Sequence, residues 1–356
     1  MVTDDEREQH AAALRGLLYL ACPEAPATAI TETAEAISRD TEEAPRAAVP
    51  QATRLNGHTA RGQHNLSRAD LSGADLTRAD LSGAQLDFVH LGGARLRSAD
   101  LSGADLTRAD LGGADLSYVD LTGANLTGAY MTRATLTHAK LGNANLSYAD
   151  LTRARLTFAK LTRAKLTHAD LRGAILRVGA GSSSMPRASA PGAADLTLVD
   201  LTRADLGGVD LSCLNLTGAD LTGADLASAD LSEAKLTRAD LTGADLSEAK
   251  LTRADLSEAK LTRADLAGAD LSEAKLTRAD LSEAKLTRAD LSDADLTGTR
   301  LDTAVGVDLP LGAMWDSDTR WPAHLASLVV EESDEVAPGV YRVRRGQSRD
   351  RWVVRS

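Results

Sequence analysis

Asp200, Asp205, Asp220, Asp225, Asp240, Asp245 and Asp265 are separated by multiples of five residues, in a chain of net charge −11. Carboxylates can serve as acids and bases or hold a cation, but only where a pocket tunes them. A regular array is instead a charged surface. Two readings of it stand: each Asp bonds a turn and faces water, or the set forms an anionic stripe that docks a basic protein or imitates a phosphate backbone. A second set has the opposite sign. Arg133, Lys140, Arg153, Arg155, Lys160, Arg163 and Lys165 fall in residues 130–177, where nine basic residues meet only Asp150 and Asp170. Tyr118, His138 and Phe158 are interleaved at intervals of 20. That band is structural, or it binds an acidic protein, or it touches nucleic acid through cations and rings. His10, His58, His64, His90, His138, His168 and His324 include no pair at metal-ligand spacing. Cys22 and Cys213 make neither a metal motif nor a disulfide framework. No nucleophile, base and cleft converge. The expectation is a protein without catalytic residues, metal or cofactor.

The elements that position these charges follow from a leucine at every fifth residue. The beat runs from Leu66 to Leu176, broken only by Met131, and again from Leu196 to Leu301, in all 45 units. Ala stands two before the Leu and Asp, Asn or Lys one before. Ser or Thr follows it, then Gly, Arg or Glu. A self-repeat of this kind sets the architecture. A period of five is neither the 3.6 of a helix nor the 2 of a strand. A coil with a short extended face and a corner every five residues accommodates it. Leu and the Ala two before it then point inward together. Ser, Thr, Asp and Gly suit the corners, and Gly73, Gly83 and Gly103 tolerate unusual backbone angles there.

The charges give the number of faces. A coil of three repeat units stacks Lys235 on Lys250, and a coil of five stacks it on Lys260. With four, Lys250 lies between Asp230 and Asp270, Lys260 between Asp240 and Asp280, and Lys275 between Asp255 and Asp295. Glu233, Arg253 and Glu273 then alternate in one column, and Arg238, Glu258 and Arg278 in another. Opposed like charges destabilise neighbouring strands. A square coil of four faces is therefore expected, with the ion pairs holding register.

Ala69-Asp70-Leu71-Ser72-Gly73 and its many in-phase copies resemble the pentapeptide repeat family over 66–176 and 196–301. The resemblance implies an all-β solenoid, a right-handed quadrilateral parallel β-helix of about eleven coils. It also implies that Leu and Ala fill the interior. The family is functionally diverse. Its best-understood members are gyrase-binding DNA mimics, acidic dimeric proteins linked to quinolone resistance, and membership alone does not transfer that role.

Around the repeats five segments are expected. Residues 1–60 form a small helical N-terminal segment and linker: Thr3 with Glu6 resembles a capping box, and a weaker helix follows at 31–43. It covers the open first coil, hangs as an arm, or docks a partner. Residues 61–178 are the first repeat block and 195–302 the second. Residues 179–194 are a flexible Gly/Ser/Pro loop, which bulges from one corner of a continuous helix or joins two separate ones; the bulge is favoured, because an uncovered coil end exposes strand edges. Residues 303–356 are a C-terminal cap. In it Trp315, Trp321 and Pro322 plug the last coil, and 340–344 pairs with 351–354 as a hairpin around Gly346-Gln347-Ser348. No apolar stretch approaches a membrane span, and a reducing cytoplasm fits the cysteine usage. The expected function is a non-enzymatic, rod-like protein-interaction scaffold for an unidentified protein partner. The alternative is a DNA mimic that binds a DNA-handling enzyme such as a type II topoisomerase. No sequence-specific nucleic-acid binding and no membrane contact are expected.

Overall fold

The computed structural model describes residues 65–177 and 194–345. The expected N-terminal helices, nearly all of the loop 179–194 and the segment 351–354 lie outside the described residues. The described residues divide between two compact units, 65–177 with Ala194 and Asp195 in one and 196–345 in the other. Both are built from the same five-residue step.

Parallel bridges join residues 20 apart, from Asn65–Gln85 to Arg155–Ile175 in the first unit and from Asp200–Asp220 to Lys285–Val305 in the second. Four steps therefore make one coil, as the charge pattern requires. Every backbone N–H of a step can be traced to an acceptor. Leu106 and Arg108 donate to Asn125 and Thr127 of the next coil (2.7 and 2.9 Å), Asp110 to Val89 of the previous one (2.8 Å), and Ala109 closes the turn on Leu106 (3.0 Å). That leaves the Thr107 N–H, which donates to the Asp105 carboxylate (3.0 Å). A backbone donor without a partner is costly. The Asp before each Leu is thus a turn cap first and a surface charge second.

The third turn residue adopts a left-handed backbone, and this conformation is not reserved for glycine. Arg108 (φ +54°), Tyr118 (+61°), Glu258 (+58°) and Arg263 (+60°) hold it too. A left-handed L-residue is strained, but in each case its N–H reaches a carbonyl of the next coil. The stack compensates corner by corner.

Inside, Leu and Ala form the predicted columns; Leu106, Ala109, Leu216 and Ala239 are wholly buried. Burying one Leu contributes ~1.5–3 kcal/mol, more than an exposed ion pair. The core therefore sets stability, and the surface charges set register. In the second unit Lys260 pairs with Asp240 (3.0 Å) and bridges to Asp280. Lys260→Asp would place three carboxylates in that column. It is expected to lower Tm by ~2 °C at low salt and by less at high salt; an unchanged Tm in both would contradict the pairing.

At the far end of the loop, Ala194 donates to Leu176 (2.8 Å) and Asp195 bridges to Lys160. The chain thus returns to the first unit's stack 35 residues on, where the regular coil takes 20. After Leu301 the beat is replaced. Strand β1 (Met314–Asp316) adds to the last coil through Asp295–Met314, and β2 (Ser333–Ala337) and β3 (Val340–Val343) complete an antiparallel sheet in the order β1-β3-β2. A six-residue helix α1 (Ala326–Glu331) precedes β2. The expected hairpin is corrected here: β3 pairs with β1 and β2, upstream of it, and its turn lies at Pro338-Gly339, where Gly339 takes φ +74°. Trp315 is buried as expected, stacked on Tyr341 (4.7 Å) and edge-on to Trp321 (6.3 Å).

Candidate functional site

Each unit carries its own charged surface. In the second unit, Asp200, Asp220 and Asp240 form one column, and Asp205, Asp225, Asp245 and Asp265 the next. All seven accept the N–H of the residue two ahead, for example Thr222 on Asp220 (3.0 Å) and Ser247 on Asp245 (2.9 Å). Burial opposes ionisation of Asp240, but the Thr242 hydroxyl and Lys260 outweigh it and hold the carboxyl below its usual range. Asp265 is held low chiefly by Lys285 (3.0 Å). The turn-capping reading thus accounts for where the carboxylates sit. It does not by itself require their charge, which Asp240 and Asp265 use in pairs with Lys260 and Lys285. Asn125, Asn145 and Asn215 make the same bond to Thr127, Ser147 and Thr217 (3.3, 3.1 and 3.2 Å). An amide makes the turn bond equally well.

In the later repeats of this unit cations and acids satisfy one another. Arg238–Glu258, Arg253–Glu273 and Arg263–Glu283 each meet at 2.8 Å across one coil. These are the alternating columns that the sequence predicts.

The first unit breaks this pattern. Lys140 bridges to Lys160, and Arg133 and Arg153 occupy successive turns of one corner. Arg155 shares a column with Thr135 and Ile175, Lys165 sits next to Asn145, and Arg163 lies at another corner. The band therefore spreads over several columns. Lys140 finds Asp120 one coil back (2.9 Å). Among the described residues Arg133, Arg153, Arg155, Lys160, Arg163 and Lys165 make no ion pair. The predicted aromatic column is stacked: Tyr118 on His138 at 4.6 Å and His138 on Phe158 at 4.3 Å. Two further contacts were not anticipated, Tyr148 on His168 (4.9 Å) and Arg97 over Tyr118 (5.2 Å). The first follows from one-coil spacing, and 148 and 168 could have been read from it.

Among the described residues there is no cluster of His, Cys, Asp or Glu able to hold a metal ion, and no helix is long and apolar enough to cross a membrane. A shallow open groove lined by Gly112, Gly113, Thr132, Arg133, Thr152 and Arg153 contains no carboxylate or imidazole to act as a base.

The family model for pentapeptide repeats matches in eight copies, over residues 65–103, 104–143, 139–177, 193–226, 200–238, 229–268 and 264–302. No curated protein matches the chain. Among solved structures, the chain is similar to HetL, a pentapeptide repeat protein involved in heterocyst differentiation regulation in the cyanobacterium Nostoc sp. strain PCC 7120. Identity is 36%, over 67% of this chain and 89% of that one, with a TM-score of 0.28. A pentapeptide repeat protein of the Arabidopsis thaliana thylakoid lumen is 35% identical over 25% of this chain and 65% of its own (TM-score 0.22). QnrB1, a plasmid-mediated fluoroquinolone resistance protein, is 19% identical over 72% of this chain and 96% of its own (TM-score 0.29).

Proposed function

The chain belongs to the pentapeptide repeat family, whose members fold as right-handed quadrilateral β-helices, and from that premise we propose that it is a non-enzymatic, rod-like protein-interaction scaffold of the cytoplasm. On this reading its 45 repeat units make about eleven coils, flanked by a helical N-terminal segment and a C-terminal cap. The observation that carries the proposal is the substitution logic of the columns. Asn caps a turn as well as Asp does, yet Asp fills the columns at 200–245. At Asp220, Asp225 and Asp245, which make no ion pair among the described residues, the charge is therefore available to something outside the fold, and among the described residues the interior is filled with Leu and Ala. Affinity capture with the whole protein tests it. A partner held by the wild type should be lost when Asp205, Asp225 and Asp245 become Asn, or when Arg155 and Lys160 become Gln. A catalytic turnover traced to these residues, or a partner indifferent to both sets, would overturn it.

A second reading is favoured by the two adjacent Asp columns: a DNA mimic directed at a topoisomerase. Duplex DNA carries one charge per ~1.7 Å, and stacked coils rise ~4.8 Å, so only adjacent columns approach that density. The basic band of the first unit would repel a positively charged groove. Purified protein is therefore expected to leave gyrase supercoiling unchanged at micromolar concentration. Inhibition that Asp205→Asn, Asp225→Asn and Asp245→Asn together abolish would establish mimicry instead.

A further inference from the structure

Two surfaces of this chain match one another in charge, relief and spacing, and we infer that the aromatic ridge of one copy docks on the glycine corner of a second copy. The ridge is the His138–Phe158 part of the stacked column in the first unit. Phe158 is 39% exposed. Arg155 stands three residues before it and Lys160 two after; both are exposed and without an ion pair among the described residues. The ring is thus flanked on each side by a cation that makes no ion pair among the described residues, with Asp195 next to Lys160 in its column. The second unit shows how readily this fold supplies partners along a column, so their lack in the band points outward.

The rings themselves narrow the choice of partner. They lie at 4.3–4.6 Å with planes 9–12° apart. A base inserted between two of them needs ~6.8 Å, about twice the ~3.4 Å stacking rise. The column therefore admits no base between its rings; it presents ring edges and cations.

The complementary surface lies in the second unit. Gly223 and Gly243 are successive turns of one corner. A side chain at Gly243 would meet nothing within 4 Å, and one at Gly223 only an aliphatic carbon of Arg203 at 3.4 Å. Asp220 stands three residues before Gly223 and Asp225 two after; Asp240 and Asp245 flank Gly243 in the same way. These offsets are those of Arg155 and Lys160 about Phe158. A ridge with a cation on either side thus faces a glycine corner with an acid on either side, in a column that runs from Arg203 through Gly223 and Gly243 to Arg263 and in which Lys260 already holds Asp240. Only the Phe158 rung has a cation on both sides, since His138 is flanked by Thr135 and by Lys140, which Asp120 holds; the match is therefore of one rung, Phe158 on Gly223 between Asp220 and Asp225. Asp220, Asp225 and Asp245 each commit only Oδ1 to the turn, which leaves Oδ2 for an external cation.

Such an interface is heterologous: each copy offers one ridge and one corner, and association is open-ended. The inference goes beyond the scaffold reading by naming a second copy as partner; a monomeric protein would leave that reading intact.

Sedimentation velocity of the full-length chain tests it. The wild type should form concentration-dependent oligomers that weaken with salt. Arg155→Glu with Lys160→Glu, and separately Asp220→Lys with Asp225→Lys, should each weaken association ~10-fold or more. Mixed together, the two variants should form a 1:1 dimer and nothing larger, because each retains the surface the other lacks. Gly223→Arg should also block association with every acid in place, and Arg is accommodated in the same left-handed backbone at 253 and 263; thermal melts confirm that each variant folds. A wild type that stays monomeric would overturn the proposal, as would association that survives Arg155→Glu/Lys160→Glu, a mixture that yields no dimer, or a monomer that binds single-stranded oligonucleotide.

Discussion

Leu106→Lys and Leu216→Lys are each expected to abolish folding of the coils around them, at a cost above ~4 kcal/mol. Both side chains are fully buried between the coils before and after. A leucine truncated to alanine in such a place costs ~2–5 kcal/mol. Lysine adds a charge with no partner in an interior of Leu and Ala. Repeat arrays transmit stability mainly between neighbours, so the loss should be local at first: hydrogen exchange should rise around the substituted coil before the rest. A control must be chosen with care. Ser212 and Thr107 look like simple corner residues in sequence, where their replacement would be expected to do little. Ser212 is in fact buried and bonds Asp210 (2.5 Å), and Thr107 accepts from Asn125 (2.8 Å). Arg288, exposed at the third position of its turn with no ion pair among the described residues, is the better control. Equal tolerance of Lys at Leu216 and of Ala at Arg288 would show that the leucines do not form the core.

Acid should unfold the protein through its turn caps. Asp120, Asp150, Asp240, Asp270 and Asp280 are all held below the usual carboxylate range. In each, burial opposes ionisation and is outweighed by hydroxyl and backbone N–H donors two residues ahead, aided in places by a cation. The folded protein therefore binds fewer protons than the unfolded chain near pH 4. A depressed folded pKa contributes stability that is full above the unfolded value of ~4 and is lost as pH falls through the folded one. Stability should be flat from pH 7 to about 5 and fall steeply below 4. Thermal melts across that range would check it; a Tm unchanged from pH 7 to 3 would show that the caps do not depend on charge. A variant with several of these positions as Asn should be less sensitive to acid, since an amide keeps the turn bond.

Most of the fold was legible because the repeat amplifies a weak signal. One Lys between two Asp means little; Lys250, Lys260 and Lys275 in the same relation rule out coils of three or five steps. The role of Asp as the cap for one orphan N–H was visible only in outline, since it emerges from tracing all five donors of a step. The corners were misjudged in one respect. Propensity assigns a left-handed backbone to glycine, whereas Tyr118, Arg263 and Glu258 hold it because the next coil bonds their N–H. The C-terminal hairpin was misplaced for a related reason. Ser333–Ala337 (Ser-Asp-Glu-Val-Ala) has no apolar alternation, and it is a strand because β3 offers an edge. β2 and β3 are joined by a turn at Pro338-Gly339, while Gly346-Gln347-Ser348 lies outside the described residues. The candidate surfaces were legible as charge but not as relief: the flanking of Phe158 by Arg155 and Lys160, and of Gly223 by Asp220 and Asp225, is placed on a corner only by the fold.

Every charged column here depends on a coil of four steps, and the native Cys213 offers a direct measurement of it. Its thiol lies 3.9 Å from the Glu233 carboxylate, one coil away. Neighbouring coils bring Cα atoms to ~4.8 Å, within the span a disulfide bridges. In a Cys22→Ser background at high dilution, Glu233→Cys should form an intramolecular disulfide on mild oxidation, read by thiol titration and mass. Ser228→Cys and Arg238→Cys, one step short of a full coil and one step beyond it, should leave both thiols free. Closure at 228 or 238 in place of 233 would contradict the coil and every column drawn from it.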